Sequence, residues 1–442
     1  MQRSTAVVTI DVGKPTTNKQ YLYRYVMKTW IAQLFSIPAF STLAFSILAF
    51  LMMATTTMAE PLVYEGSEGI GKGKHIVFIA NDHEYRSEQS CPLMAKILAK
   101  HHGFKCTVLF GIDEDGNIKA GAKEVPGLES LKDADLLVFF TRFMNMPDDQ
   151  AAMLADYFER GGPAVGIRTS THCFNGQKGT WAKLNFNYSG EDYAGGLGKQ
   201  VFGNTWEKKK GQSHYGQNHQ MGCRITPVES AKSHVIMTGV TQFHAYSGAY
   251  KSQPPADATP LLNVQVLKTL GPSDEVATDK PIVNAGWTRD SYVAPSGDKK
   301  DARVVYVSFG ASEDLLDEGT RRFLLNASLW AGGWDQHIKE SLDVSIVGKY
   351  TPSPYTTGAY YYSGVKPSDL AGWDSQIMPE SAMLAGIDDP KSARKHMRAL
   401  ANRPKLKAML AEKYPDIYGP DAKLPASPKK QKQKKKQKEA AK

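Results

Sequence analysis

The sequence predicts an α/β fold, a mostly parallel sheet with helices on both faces. Three observations predict it. Continuous apolar runs such as "HIVFIA" (75–80) and "ADLLVFF" (134–140) have the look of strands buried on both sides. Amphipathic helical patterns separate them and end in glycine. With 442 residues, 41% hydrophobic and 22% charged, the chain is globular in composition and long enough to bury a large core.

Each element follows in order. "HIVFIA" is the first strand, and "SCPLMAKILAKHHG" is the first helix, with Ser90 as a cap, Pro92 in the first turn and Leu93, Ile97 and Leu98 on one face. Gly103 closes it. "KCTVLFG" (105–111) is the second strand and "ADLLVFF" the third. "PDDQAAMLADYFERGG" is a second helix, capped by Asp148 or Asp149 and striped by Ala151, Leu154 and Phe158. "PAVGI" is the fourth strand. Later strands are expected at 222–228, 281–287 and 302–310, and "DEGTRRFLLNASLWAGG" (317–333) is the closing helix. The α/β domain is therefore expected over about 70–334. The stretch between the fourth strand and residue 222 is too long for a plain connection and reads as a functional loop. After 334 the period is lost: "YTPSPYTTGAYYYSG" reads as an ordered loop or docking arm, and short helices are expected near 390–412 in an extension running to 425.

The net charge of +9 sits at the chain ends. Residues 429–442 contribute +7 and residues 1–59 contribute +4, which leaves 60–428 at −2. A nearly neutral body argues against nucleic-acid binding by the core. Residues 426–442 read as a disordered Lys-rich tail, either simply solvated or loosely attracted to an anionic polymer or membrane surface. At the other end, Lys28 precedes an uncharged stretch over 29–59, most apolar near 40–53 and ending "TTTMAE". Basic flank, apolar run and small-residue exit make a secretory signal, so the rest is expected in the periplasm or outside the cell; an uncleaved N-terminal anchor is the alternative. Cys91, Cys106, Cys173 and Cys223 show no C-x-x-C pairing and read as buried free thiols, although three full disulfide connectivities exist.

In open α/β sheets ligands bind beyond the carboxyl ends of the strands. Strand one is followed by Asp82, His83, Glu84 and Arg86, strand three by Arg142, and strand four by Arg168, Thr169, Ser170 and His172. The 281–287 strand ends in Trp287 and is followed by Arg289, in "WTRD". Singly, each is an ordinary cap or surface residue. Jointly they read as a site, because arginines after three core strands need partners or an oxygen-rich ligand. His172, Arg168, His83 and Glu84 are the candidate catalytic residues: arginine holds an oxygen and histidine moves protons near neutral pH. Asp82, Arg86, Arg142, Thr169, Ser170, His214, His219, Trp287 and Arg289 are candidate substrate contacts. No cofactor and no dedicated metal ligand are expected; a divalent metal on His83, Glu84, His172, His214 and His219 stays open, although their spacing fits no defined motif. Trp181, Trp206 and Trp287 are either core aromatics or platforms for sugar rings.

These blocks together resemble the trehalose-utilization (ThuA-like) family. The resemblance covers about 74–334 and rests on "HIVFIANDHEYR", "GGPAVGIRTSTHCF", "GGLGKQVFGNTW", "SHVIMTGV" and "RVVYVSFGASEDLLDEGTRRFLLNASLWAGG". It implies a flavodoxin-like fold related to class I glutamine amidotransferases, and a link to glycoside metabolism through oxidised (3-keto) disaccharides. Amidotransferases carry a nucleophilic cysteine in a G-I-C-x-G pattern, where this chain has Gly166-Ile167-Arg168-Thr169-Ser170. Arg168 holds the nucleophile's place and Cys173 lies five residues on, so glutaminase activity is not expected. The family's "GH" after the last strand is Gly310-Ala311 here. The leading expectation is acid–base chemistry on a saccharide or keto-glycoside. The alternatives are a non-catalytic saccharide-binding protein and a metal-dependent hydrolase on the same scaffold.

Overall fold

The structure, a computed structural model, describes residues 60–206, 213–215, 222–269, 271–272, 275–377, 389–401 and 403–420. The described residues fall within one compact unit, Ala59–Lys442. The expected signal segment, His219 and the Lys-rich tail lie outside the described residues. Among the described residues, no helix is long and apolar enough to cross a membrane.

The chain opens with β1 (Leu62–Glu65), β2 (His75–Asn81), α1 (Ser87–His102), β3 (Lys105–Phe110), β4 (Leu136–Thr141), α2 (Asp148–Glu159) and β5 (Ala164–Ile167). A short 3-10 turn, Arg168–His172, leads on to α3 (Gly196–Phe202), β6 (Ser213–Tyr215), β7 (Cys223–Pro227), β8 (Phe243–Ala245), β9 (Ala249–Lys251) and β10 (Thr259–Val266). Then come β11 (Val283–Arg289), β12 (Tyr292–Val293), β13 (Lys299–Lys300), β14 (Val304–Val307) and α4 (Glu318–Ala331). The extension holds α5 (Pro390–Leu400), α6 (Pro404–Lys413) and α7 (Pro415–Tyr418).

Ten strands form one sheet in the order β1-β3-β2-β4-β5-β14-β11-β10-β7-β8. The run β3-β2-β4-β5-β14 is parallel throughout. Numbered within that run by chain order it reads 2-1-3-4-5, the flavodoxin-like order, with its topological switch between β2 and β4. The fold expectation is met in this run, and the strands beyond β14 continue it in antiparallel fashion.

Side-chain alternation explains why both faces are covered. Ile76, Phe78 and Ala80 of β2 join Leu136, Val138 and Phe140 of β4 in a core shared with α1 and α4. Val77, Ile79, Leu137 and Phe139 point the other way, into a core shared with α2 and α3. Each fully buried Phe, Ile or Leu contributes ~1.5–3 kcal/mol, so a strand apolar on both faces settles only at the centre of such a sandwich.

Local start signals differ in detail. α1 begins at Ser87, three residues before the expected cap Ser90, because Arg86 takes a left-handed backbone (φ 65°) and turns the chain into the helix. α2 starts at Asp148 after Pro147, with Asp148 and Asp149 in its first turn where they favour the helix dipole. α4 is capped by Asp317, which accepts from the Gly319 N–H. All four cysteines are buried and free.

Candidate functional site

Register sets the site. Asn81 of β2 pairs with Thr141 of β4, Phe139 with Gly166 of β5, and Ile167 with Val307 of β14, so the four strands end at nearly one level. The residues that follow them share one edge of the sheet. Four described non-glycine residues have a left-handed backbone, and three of them lie on this edge: Arg86 after β2, Phe143 (φ 51°) after β4 and Arg168 (φ 46°) after β5. Such conformations persist only where surrounding contacts enforce them, and they cluster where a chain is built for a task.

The loop after β2 is folded by Asp82. Its Oδ1 accepts from the backbone N–H groups of Glu84 (2.7 Å) and Tyr85, an Asx-type turn that aims the next side chains across the switch point. There Arg142, from the end of β4, meets Glu84 at 3.1 Å and the Nε2 of His83 at 2.6 Å. Arginine only donates, so His83 Nε2 is the acceptor and its proton sits on Nδ1. That Nδ1 has no partner among the described atoms and lies against Gly121, where an added Cβ would come within 3.1 Å. Burial lowers the pKa of His83, with Arg142 and Arg86 adding to it against Asp82. Burial raises that of Glu84 despite the pull of Arg142.

His172 closes the cluster from the 3-10 turn after β5. It is 2% exposed, with Nδ1 at 3.2 Å from the Thr171 hydroxyl. Its ring packs against Phe143 (5.2 Å), Trp206 (5.1 Å) and Tyr250 (5.9 Å). Burial holds its pKa well below the ordinary 6.5, and the cations Arg142 and Arg168 push the same way. The imidazole is therefore neutral at pH 7. His214 arrives from β6, paired with Tyr250 of β9, and its ring lies 5.1 Å from Trp206. Its Nδ1 is 3.4 Å from the Tyr85 hydroxyl.

The structure thus gathers His83, Glu84, Arg142, His172 and His214, with Asp82 beneath them. Asp82 Oδ2 and the hydroxyls of Thr169 and Ser170 are buried with no hydrogen-bond partner among the described atoms. Arg168 departs from its expected role as a ligand holder. Its guanidinium lies between the rings of Tyr85 (3.8 Å) and Tyr250 (4.5 Å). The terminal nitrogens donate to the carbonyls of Ser247 (2.9 Å), Gly248 (3.1 Å) and Ser308 (2.7 Å). It ties the turn to two other loops.

Three further residues depart in the same way. Arg86 faces away, toward the carbonyls of Thr356 and Tyr360 and the Glu88 carboxylate. Trp287 is fully buried and donates to the Phe202 carbonyl (3.0 Å). Arg289 pairs with Asp257 (2.8 Å) and with the carbonyls ending α3. In each case the polar group finds a partner inside the fold, because burial without one is costly.

Sequence reasoning missed Tyr85, Phe143, Phe186 and Tyr250 as walls of the site. Phe143 adjoins Arg142 in "TRFMN", a signal that was present. Tyr250 comes from a distant hairpin, and nothing local marks it. Among the described residues, no cluster of three or more His, Cys, Asp or Glu side chains stands close enough to hold a metal ion.

The histidines fix how stability responds to pH. His172, His83 and His102 all have a folded pKa lowered by burial. Below about pH 6.5 the unfolded chain binds more protons than the folded one, so stability is full above that value and falls as pH drops below it. The expected result is a denaturation midpoint that is level from pH 8 to 7 and declines from about 6.5 toward 5. Glu84 and Glu88, raised by burial, act in the opposite sense. Comparing the slope with that of His172→Gln isolates the histidine's share, and an equal slope would show that His172 is not held neutral.

No family model matches this chain, and a search of curated proteins finds no match. Solved structures do match. A protein of Bacteroides uniformis named as thua-like is 15% identical over 61% of this chain and 95% of its own, with a TM-score of 0.37. One of Parabacteroides merdae, named in the same way, is 14% identical over 64% of this chain and 95% of its own, with a TM-score of 0.35. At scores this low the likeness says nothing of a reaction, and the site's own geometry has to speak for that.

Proposed function

We propose that this chain is an exported ThuA-like protein that acts on a carbohydrate, with acid–base chemistry on a keto-glycoside as its reaction class. The observation that carries the reading is the buried His172 within a site that also holds the Arg142–Glu84 pair and aromatic walls, burial keeping the pKa of that imidazole low. A ketone acidifies the hydrogen on the adjacent carbon. His172 takes that proton, and the bonding pair moves into the carbonyl oxygen, where Arg142 offsets the developing negative charge. Glu84, with its pKa raised by burial, is placed to return a proton, and His83 accepts from the same arginine and orients it. Trp206, Phe143 and Tyr250 offer flat apolar faces of the kind that pack on sugar rings. Export is supported by the signal-like pattern of residues 1–59.

The test is turnover of 3-keto-glycosides by the purified chain beside its His172→Ala variant. The expected result is a kcat/KM on the order of a hundredfold lower in the variant, the usual scale for losing a proton-transfer group, with sugar affinity by calorimetry kept. Binding without turnover by the unmodified chain would favour a saccharide-binding protein. No binding of any glycoside would sink the carbohydrate reading altogether.

A further inference from the structure

The aromatic stretch "PYTTGAYYYSG" after the α/β domain lacks any regular period, yet it is anchored at several points. Within residues 355–361 it grips three of the four residues that follow Asp82. The Tyr361 hydroxyl donates to the backbone carbonyl of His83 at 2.6 Å. The Tyr355 ring stacks on Tyr85 at 5.5 Å, interplanar angle 23°. The Arg86 guanidinium donates to the carbonyls of Thr356 and Tyr360 and lies 4.6 Å over the Tyr361 ring. Both segments bend sharply where they meet, since Arg86 and Tyr360 (φ 59°) each adopt a left-handed backbone.

The gripping segment is itself fastened on both sides. Gln89 and Ser353 exchange two hydrogen bonds, at 2.7 and 2.9 Å. Ser312 donates to the Ser353 carbonyl at 3.0 Å. Farther along, Lys96 donates to the carbonyls of Trp373 and Ser375, and Arg403 makes a buried two-pronged pair with Glu313. A loop held this way on one side, and by Asp82 on the other, leaves its backbone little freedom. Only then does a 2.6 Å contact between His83 and Arg142 persist, because that contact fails after a displacement of a fraction of an ångström.

We propose that residues 355–361 are a positioning clamp for the loop bearing His83 and Glu84, and that Tyr361 is its working residue, fixing the His83 ring against Arg142. Tyr361 touches neither the imidazole nor any reacting atom; it acts through the His83 carbonyl. The proposal rests on His83 belonging to the site, and its test reads the ring directly, with no substrate needed.

The experiment uses the full chain with ring-15N-labelled histidine, the His83 signals being identified by their loss in His83→Gln. In the unmodified protein His83 should give the signature of one tautomer, protonated at Nδ1 only. Tyr361→Phe keeps the ring over Arg86 and removes only the hydroxyl. It should lose that signature in favour of a mixture of tautomers. Tyr362→Phe removes a neighbouring buried hydroxyl of the same segment, bonded to the Glu88 and Ile377 carbonyls, and should leave the His83 signals as they were. A single tautomer surviving in Tyr361→Phe overturns the clamp. So does an equal loss in Tyr362→Phe, which would mean general loosening. Sugar turnover can fail without touching either result, so the two readings fall separately.

Discussion

Arg168→Met should lower the stability of the folded chain by about 4 kcal/mol or more. The guanidinium supplies donors to three buried carbonyls, those of Ser247, Gly248 and Ser308. Methionine offers none, and each buried acceptor left without a donor costs roughly 1–3 kcal/mol. The cation also lies between the Tyr85 and Tyr250 rings, a contact worth roughly 2 kcal/mol when desolvated. Lysine is not a conservative repair, since one ammonium cannot reproduce the planar fork that reaches three carbonyls in two loops. Chemical denaturation followed by tryptophan fluorescence measures the change. A midpoint indistinguishable from the parent would show that the guanidinium is not the tie, and would return Arg168 to the pool of ligand-holding residues.

Arg403→Ala should cost about 3–5 kcal/mol, the usual penalty for stranding one member of a buried ion pair. Glu313 and Arg403 are 6% and 7% exposed, and Arg403 donates from two nitrogens to the two oxygens of that carboxylate. Alanine leaves Glu313 in the same surroundings with no partner. Replacing both, as Glu313→Leu with Arg403→Met, should recover much of the loss, because two desolvation penalties vanish along with the attraction. Denaturation curves of Glu313→Leu, Arg403→Met and the double variant beside the parent form the cycle, with Arg403→Ala as the reference for a stranded carboxylate. A double variant no better than Arg403→Ala would mean that the penalty comes from lost packing over Tyr355, which Arg403 covers at 5.1 Å.

What the sequence made legible follows from the range of the forces involved. "HIVFIA", "KCTVLFG", "ADLLVFF" and "PAVGI" are strands within two residues of where they were read, because a run apolar on both faces has one stable place. The strand-end rule then brought His83, Glu84, Arg142 and His172 together, since register levels the carboxyl ends of neighbouring parallel strands. Of the large sheet, strands β1, β8 and β10 were missed, as were the short strands outside it. In β1, "LVYE", only Leu62 and Tyr64 are buried, too short an alternation to stand out. In β10, "TPLLNVQV" carries a proline and three polar residues, in the part of the sheet that turns antiparallel.

The assignment of individual arginines was less legible. Arg142, Arg168 and Arg289 follow strands in the same fashion, yet only Arg142 faces the histidines. Which carbonyls lie within reach of a guanidinium depends on segments 79 to 140 positions away in the chain, and no local pattern encodes that. The three grips of residues 355–361 on the loop after β2 are hidden for the same reason.

The four buried thiols bear on how the fold meets its redox surroundings. Neither core contains a crosslink that an oxidant must form or that a reductant could cut, and burial pushes the Cys173 and Cys106 thiols up, away from the reactive thiolate. Its architecture is therefore complete without redox chemistry, and reads the same in a reducing lumen as in open air.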